Sequence, residues 1–391
     1  MSLGLRRALV GLACALLHAA LPAPMRPWAA AVRCEAASIA DDTAALLFTL
    51  DSLAGLLPRA IAAQFRRCCA APFRFHPPVP GGSTVMTIVG ALLHRPRALG
   101  IACAVGAAAL GLVYLAWAGA PPRYLGVNAG ALVVGLTLLA LLGGAAGERH
   151  AGGATVAAAG ALLATALLGA EVEGAARWVN LGGGLALQPS LVLLPLMLVA
   201  FARDRSLAAT AGLVVAAAAS ALQPDRAMAG MLVAGLAALV LVRREPRAVA
   251  ALVAGLLGLA VTLARADTLP AVAFVDRVLA TSFAVHPVAG LAVWEGAALL
   301  LVPALAGARA AAGDRALYAV FAAVWGAAIG AAALGHYPTP VVGYGGSAII
   351  GYALSLLALP RRVGAGAGSA ARHDGTVAAP PADRVSRVAI A

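Results

Sequence analysis

Between residues 99 and 359 the chain passes through ten apolar stretches, at 99–119, 127–146, 151–169, 186–202, 206–222, 227–242, 248–264, 284–308, 316–334 and 341–359. A helix needs about 20 apolar residues to cross a hydrocarbon core of roughly 30 Å. Repeated runs of this kind point to a bilayer as the solvent, because a membrane helix satisfies its backbone groups internally. The expected fold class is therefore all-α, a polytopic transmembrane helical bundle of about ten spans. Several runs reach only 16 or 17 residues, so their edges must extend into the loops or their helices must be locally short.

Composition agrees. Hydrophobic residues make up 62% of the 391 positions and charged residues 11%, against about 25% charged in ordinary soluble domains. Mean hydropathy is +0.92. A soluble globule of this length would lack the polar surface to cover itself. Alanine- and glycine-rich faces allow close helix packing in lipid. The chain has no lysine, which matches a GC-rich coding bias, so its abundant alanine and glycine have no functional weight by themselves.

The net charge of +12 does not point to nucleic acid, because the arginines are scattered in short clusters between apolar runs. They read as topology signals. If the first span starts in the cytoplasm, the inner loops hold Arg95, Arg97, Arg149, Arg203, Arg205, Arg243, Arg244, Arg247, Arg309, Arg315, Arg361 and Arg362. The outer loops then hold Arg123, Arg177, Arg226, Arg265 and Arg277. Twelve against five obeys the positive-inside rule and puts the C-terminus in the cytoplasm.

Residues 1–98 form an N-terminal extension. Arg6-Arg7 and the following VGLACALLHAALP resemble a signal sequence or short anchor. The stretch 43–57 reads as an amphipathic or surface helix containing Asp51, and Pro58–Pro80 with Gly81-Gly82 as a linker. Residues 99–360 form the membrane domain, and 361–391 read as a disordered cytoplasmic tail. The five cysteines, Cys14, Cys34, Cys68, Cys69 and Cys103, make no metal or redox pattern. The Cys68-Cys69 pair beside Arg66-Arg67 has the look of a lipidation point.

Polar residues interrupt the apolar pattern in four outer segments. Residues 169–190 carry Glu171, Glu173, Arg177, Trp178 and Asn180, with glycines at 182–184 that permit a tight turn. Arg177 can pair with a carboxylate, and Trp178 suits the headgroup level. In residues 221–228, Pro224 can start a helix and Asp225 can cap its first turn. The loop from Arg265 to Pro287 is the longest outer loop of the repeated-span region and holds Asp267, Asp276, Arg277 and His286. A carboxylate there can act as a general base on a sugar hydroxyl, and its arginines can bind phosphate. Solvated surface charge explains the same residues. In residues 335–354, Pro338, Pro340, Gly343, Gly345 and Gly346 surround Tyr344, so this stretch is expected to be partly unwound, with its freed backbone groups needing partners. Ser347 can supply one of them.

Three of these segments, in order, resemble the SEDS (shape, elongation, division and sporulation) family of RodA- and FtsW-like proteins. The family's N-G-A-R-R-W run leading to Q-P-S-E is similar to Glu173-Gly174-Ala175-Ala176-Arg177-Trp178 followed by Gln188-Pro189-Ser190. Its later Q-P-D is similar to Gln223-Pro224-Asp225. Its S-Y-G-G-S-S segment after a proline is similar to Gly343-Tyr344-Gly345-Gly346-Ser347 after Pro340. The resemblance covers residues 99–360, and the ten spans and their orientation agree with it.

This resemblance implies a peptidoglycan glycosyltransferase of the bacterial cytoplasmic (inner) membrane. Such an enzyme polymerises the undecaprenyl-diphosphate-linked disaccharide-peptide, lipid II, at the outer face beside a class B penicillin-binding transpeptidase. The family's catalytic aspartate follows an L-P-E-A-H-T-D-F motif. Here Leu269-Pro270 is followed by Asp276, one residue late, so Asp276 is the first candidate base and Asp267 the second. Arg177, Trp178, Gln188, Asp225, Arg226, Arg277, Tyr344 and Ser347 are the implied substrate-binding positions. A divalent cation such as Mg2+ could assist, although no cluster of ligands requires one. The chain departs from the family pattern at Leu191, where Q-P-S-E has its glutamate, at Ala176, and at Arg226-Ala227 in place of Gly-Thr. It also lacks the glycine-rich segment after span seven and the E-E-L-G motif of span eight, where only Glu295 is found. These departures leave open an alternative, a catalytically inactive SEDS-like scaffold or polyprenyl-lipid-binding protein of a cell-envelope complex. Coupled transport fits less well, because the spans contain few charges.

Overall fold

The computed structural model describes residues 25–70, 93–143, 151–172, 175–265, 270–310, 312–335 and 337–361, with isolated positions between residues 7 and 21. Two helices, α1 (Arg26–Ser38) and α2 (Asp42–Ala70), come first. The main body follows as α3 (Pro96–Trp117), α4 (Pro122–Gly143) and α5 (Ala151–Leu168), then strands β1 (Ala170–Val172), β2 (Ala175–Gly182) and β3 (Leu185–Leu187). The chain continues through α6 (Pro189–Phe201), α7 (Leu207–Leu222), α8 (Arg226–Val242), α9 (Pro246–Leu263), α10 (Val278–Val285), α11 (Pro287–Leu299), α12 (Val302–Ala310), α13 (Arg315–Leu334) and α14 (Gly346–Ser355).

Helices α3, α4, α9 and α13 are each long and apolar enough to cross a membrane alone, and α11 and α12 are so when taken together across a bend of 41°. Helices α5, α6, α7, α8 and α14 are shorter apolar segments. These elements coincide in order with the ten expected spans, and the chain is a multi-pass membrane protein with a helical-bundle fold. Leucines at helix ends and on outward faces, such as Leu168, Leu241 and Leu334, are more than four-fifths exposed. In water such surface would be a liability, and in a bilayer it is the lipid contact.

Four local departures from the sequence expectations have physical causes. Residues 58–70, expected as linker, continue α2, because their alanine, glutamine and arginine residues are strong helix formers that outweigh the single Pro58. Residues 71–90, the side chains of Cys68 and Cys69, Asp267, Glu173 and the tail beyond Arg361 lie outside the described residues. The outer segment at 170–187 is a small three-stranded antiparallel sheet in the order β1-β2-β3, so the fold is not purely helical. Gly182, Gly183 and Gly184 all take positive φ and make the β2–β3 turn that side chains would strain. The long loop before the eighth span contains α10, and that span is not continuous. His286 separates α10 from α11 and accepts the Val288 amide on Nδ1 at 3.2 Å.

The break between α11 and α12 leaves the Leu300 carbonyl without a helical partner, and the Tyr352 hydroxyl donates to it at 3.1 Å. Tyr352 is fully buried and meets Phe321 and Trp325 edge-on, at 5.7 and 5.0 Å between ring centres. The Trp325 indole donates to Ser355 Oγ at 3.2 Å. Every polar atom of this buried aromatic knot thus has a partner, as apolar surroundings require. The knot ties α13 and α14 to the kink.

One end of the bundle gathers arginines. Arg97 donates to the Leu359 carbonyl at 2.8 Å and Arg203 to the Ala358 carbonyl at 2.9 Å, closing the C-terminal end of α14. Arg361 reaches the Gly143 carbonyl at the end of α4 at 2.6 Å, and Arg205 pairs with Glu245 at 2.5 Å. Cations at helix C-termini satisfy free carbonyls and the helix dipole together. Leu17 and Leu21 bury themselves with Ala29, Val32 and Leu141, so the N-terminal segment packs at this same end of α4.

Helices α6 and α14 approach closely at Gly351, where an added Cβ would lie 2.0 Å from the Leu191 carbonyl oxygen. Gly330, on the open side of α13, has nothing within 4 Å of the same position. Gly351→Ala should therefore lower stability in detergent by about 1–3 kcal/mol through overpacking. Gly330→Ala should raise it by up to about 1 kcal/mol through helix propensity. Thermal unfolding of the two variants checks both signs.

Candidate functional site

The end opposite the arginine-rich one carries the polar segments. Asp225 is 1% exposed. As expected from the sequence, it caps α8, with Oδ1 accepting the Met228 amide at 3.1 Å. Its other oxygen accepts from Gln188 Nε2 at 2.8 Å. Gln188 precedes α6, and its backbone amide donates to Ser347 Oγ, on the first turn of α14, at 2.9 Å. Arg177, on β2 and 5% exposed, donates from Nε to the Gln223 carbonyl at 3.2 Å and from Nη2 to the Pro224 carbonyl at 2.6 Å. These two bonds tie β2 to the turn that carries Gln223 and Pro224. Residues 177, 188, 223–225 and 347 thus form one buried hydrogen-bonded junction joining β2, α6, α8 and α14.

The loop with Asp276 is fastened to the unwound stretch before α14. Thr339 N donates to the Val275 carbonyl at 2.9 Å and Tyr344 N to the Phe274 carbonyl at 2.7 Å, and Asp276 bridges to Pro338 in antiparallel fashion. Further backbone groups of the stretch also find partners. Val342 N donates to the Pro340 carbonyl at 2.8 Å and Gly343 N to the Thr339 carbonyl at 3.2 Å. Asn128, 1% exposed, donates to the Gly343 carbonyl at 2.9 Å and accepts the Gly345 amide at 3.1 Å. The unwinding expected from Pro338, Pro340 and the glycines is present, and its polar cost is met by protein groups as P-G-rich membrane backbone demands. Val341 has φ of +67°, a strained conformation that this bonding holds in place.

Asp276 itself is half-buried. Its Oδ2 accepts the Val272 amide at 2.8 Å, which fixes the carboxylate on its loop. The neighbouring Arg277 is exposed, sits at φ of +59° before α10, and makes no side-chain hydrogen bond among the described residues, so its guanidinium is open to an anion. The expectation for the other arginines changes. Arg177 and Arg226 both serve backbone carbonyls. Arg226 donates from Nε to the Thr262 carbonyl at 3.3 Å and from Nη2 to that of Arg265, while Arg265 reaches the Leu222 carbonyl at 3.3 Å. Each thereby closes the C-terminal end of a neighbouring helix, α9 and α7 respectively. Trp178 is half-buried on β2, in register with Ala170 of β1. Asp267 lies outside the described residues.

The sequence reading missed Asn128 and Tyr124. Tyr124 stacks on Tyr344 with ring centres 3.7 Å apart and 9° between planes, and meets Phe274 edge-on at 6.1 Å. Asn128 was detectable as a lone amide in an apolar span, the kind of residue that marks a working position in membranes. No group of three or more metal-ligating side chains occurs among the described residues.

No family model matches the chain, and no curated protein matches it. Among solved structures it is similar to the rod shape determining protein RodA of Thermus thermophilus, at 27% identity and a TM-score of 0.49, over 66% of this chain and 93% of that one. An aspartate-to-alanine mutant of the same protein matches at 27% identity and 0.49, over 66% and 94%. A chain from a structure described as the structural coordination of polymerization and crosslinking by a peptidoglycan synthase complex matches at 24% identity and 0.47, over 66% and 96%.

Because Arg177 acts through two carbonyls, a cation of different shape should not replace it. Arg177→Lys, with a single ammonium in place of the planar fork, is expected to lose about 1–3 kcal/mol of stability. Arg226→Lys, at the more exposed cap, should lose under about 1 kcal/mol. Chemical denaturation of the two variants in micelles checks the difference.

Proposed function

We propose that the chain is a peptidoglycan glycosyltransferase that polymerises lipid II at the outer face of the bacterial cytoplasmic membrane. The observation that carries this reading is the meeting of its three family-like segments in one hydrogen-bonded junction, through Arg177, Gln188, Asp225 and Ser347. The loop bearing Asp276 is tied to the same stretch of chain that leads into Ser347. A polymerase needs donor, acceptor and base held to within fractions of an ångström, and a rigid junction of buried hydrogen bonds can supply that.

In this reading Asp276 takes the proton of the acceptor sugar hydroxyl. The hydroxyl oxygen forms a bond to the anomeric carbon of the donor, with inversion, and the bond from that carbon to the lipid diphosphate breaks. The diphosphate leaves with the electron pair, and Arg277 is the cation best free to receive it. Arg177, Gln188, Asp225, Arg226 and Ser347 act as positioning residues. A class B penicillin-binding transpeptidase is the expected partner, and a divalent cation such as Mg2+ could share the diphosphate charge. In this reading the arginine-rich end and the C-terminus face the cytoplasm, which the positive-inside distribution of the sequence supports.

A second reading is a SEDS-like scaffold or polyprenyl-lipid-binding protein without chemistry. It is favoured by one specific observation, that Arg177 and Arg226 are engaged with backbone carbonyls, which leaves fewer cations for a diphosphate.

The test is glycan polymerisation by purified protein in liposomes supplied with lipid II, with and without the co-encoded transpeptidase. Asp276→Ala and Asp276→Asn should each lower the rate at least 100-fold, the usual scale of a general base, while the folded fraction stays unchanged. Unchanged polymerisation in both variants would remove Asp276 from the chemistry. Absence of polymer from folded wild type under either condition would leave the scaffold reading. The orientation is checked in parallel by Arg277→Cys in intact cells, which should react with a membrane-impermeant maleimide.

A further inference from the structure

We infer that Tyr124, Tyr344 and Phe274 form a saccharide-stacking platform beside Asp276, taking the N-acetylated sugar ring of the acceptor. The inference rests on the glycosyltransferase reading for the identity of the sugar. The geometry of the platform does not depend on it.

Tyr124 and Tyr344 are stacked with 9° between planes, and Phe274 stands nearly perpendicular, at 79°, against Tyr124. All three are half-buried and pack in part against the core; the stacked sides of Tyr124 and Tyr344 cover each other and Phe274 lies against Tyr124, so the ring face proposed for the sugar is that of Tyr344 turned away from Tyr124. They come from three separate parts of the chain: the first turn of α4, the Asp276 loop and the unwound stretch before α14. The Tyr344 amide donates to the Phe274 carbonyl, which holds the aromatic group two residues from Asp276 in the chain. Asn128, one turn beyond Tyr124 on α4, fixes the backbone on both sides of Tyr344 through Gly343 and Gly345. The stack is therefore rigid before any ligand arrives, which reduces the ordering cost of binding.

Its polar edge is open. Neither the Tyr124 nor the Tyr344 hydroxyl has a hydrogen-bond partner among the described residues, and neither is among the buried atoms left without one. A buried tyrosine normally finds a partner for its hydroxyl, so two hydroxyls left free here face a polar phase. A flat apolar face edged by hydroxyls suits a pyranose ring, which has C–H bonds on its faces and hydroxyls around its rim. An isoprenoid chain would gain nothing from the hydroxyl edge. A diphosphate would be repelled by the electron-rich faces and is better served by Arg277. The platform is thus the place for the sugar whose hydroxyl Asp276 deprotonates.

The experiment uses full-length protein in nanodiscs and a soluble N-acetylglucosamine-containing disaccharide as probe, read by saturation transfer to the sugar C–H protons. Wild type should transfer saturation to the protons of one ring face. Tyr344→Leu should abolish this transfer. Tyr344→Phe and Tyr124→Phe, which keep the stack, should weaken binding by about tenfold through loss of one hydrogen bond each. Wild type that binds no sugar, or Tyr344→Leu that is folded and binds as wild type does, would overturn the platform. If Tyr344→Leu does not fold, unaltered binding by both phenylalanine variants overturns it equally. Sugar binding that requires Tyr344 in a protein that makes no polymer would leave the platform standing and remove the polymerase.

Discussion

The buried bond between Gln188 and Asp225 is the contact on which the arrangement of the outer end depends. A carboxylate that is 1% exposed at the end of a membrane bundle is expensive unless its oxygens are engaged. One oxygen starts α8, and the other reaches Gln188. Because Gln188 also binds Ser347 through its amide, the start of α8 fixes the start of α6, and that in turn fixes the start of α14. Removing one partner would strand the others, so the segments hold their positions together.

The stretch from Pro338 to Gly345 shows the same constraint acting on backbone. Two prolines and two glycines keep it from being helical, and a bilayer supplies no water to satisfy it. Its partners come from the Asp276 loop and from Asn128. The unwound chain and the loop are thus conditions of each other's structure. This coupling brings the half-buried carboxylate of Asp276, the open cation of Arg277 and the tyrosine stack to one region. At the opposite end, arginines close the helix termini on carbonyls, so the bundle is fastened at both ends by side-chain to backbone bonds while its lipid face stays apolar.

Much of this was legible in the chain. The apolar runs located the helices, Asp225 read as a cap, and Pro338 to Gly346 read as unwound, since each of these rests on local chemistry. The partner of Gln188 was not legible, because it lies 37 positions away and no local rule joins them. The arginines misled for a related reason. A guanidinium serves a phosphate and a carbonyl equally well, and only the fold decides that Arg177 and Arg226 face carbonyls while Arg277 remains open. The sheet at 170–187 was hidden because β1 and β3, the strands that pair with the eight residues of β2, have only three residues each, too brief for an alternating pattern. The kink at Leu300 is marked locally by Pro303, whose ring has no amide to give the preceding turn, but the partner its freed carbonyl finds, the Tyr352 hydroxyl, lies 52 positions away.

The most direct measurement is a double-mutant cycle on Gln188→Leu and Asp225→Asn, read as unfolding free energy in micelles. If the junction is one hydrogen-bonded unit, the two changes are strongly non-additive, with a coupling of about 0.5–3 kcal/mol. Effects that add within about 0.3–0.5 kcal/mol would mean that the two residues act independently, and would contradict the junction as the organising contact of the site.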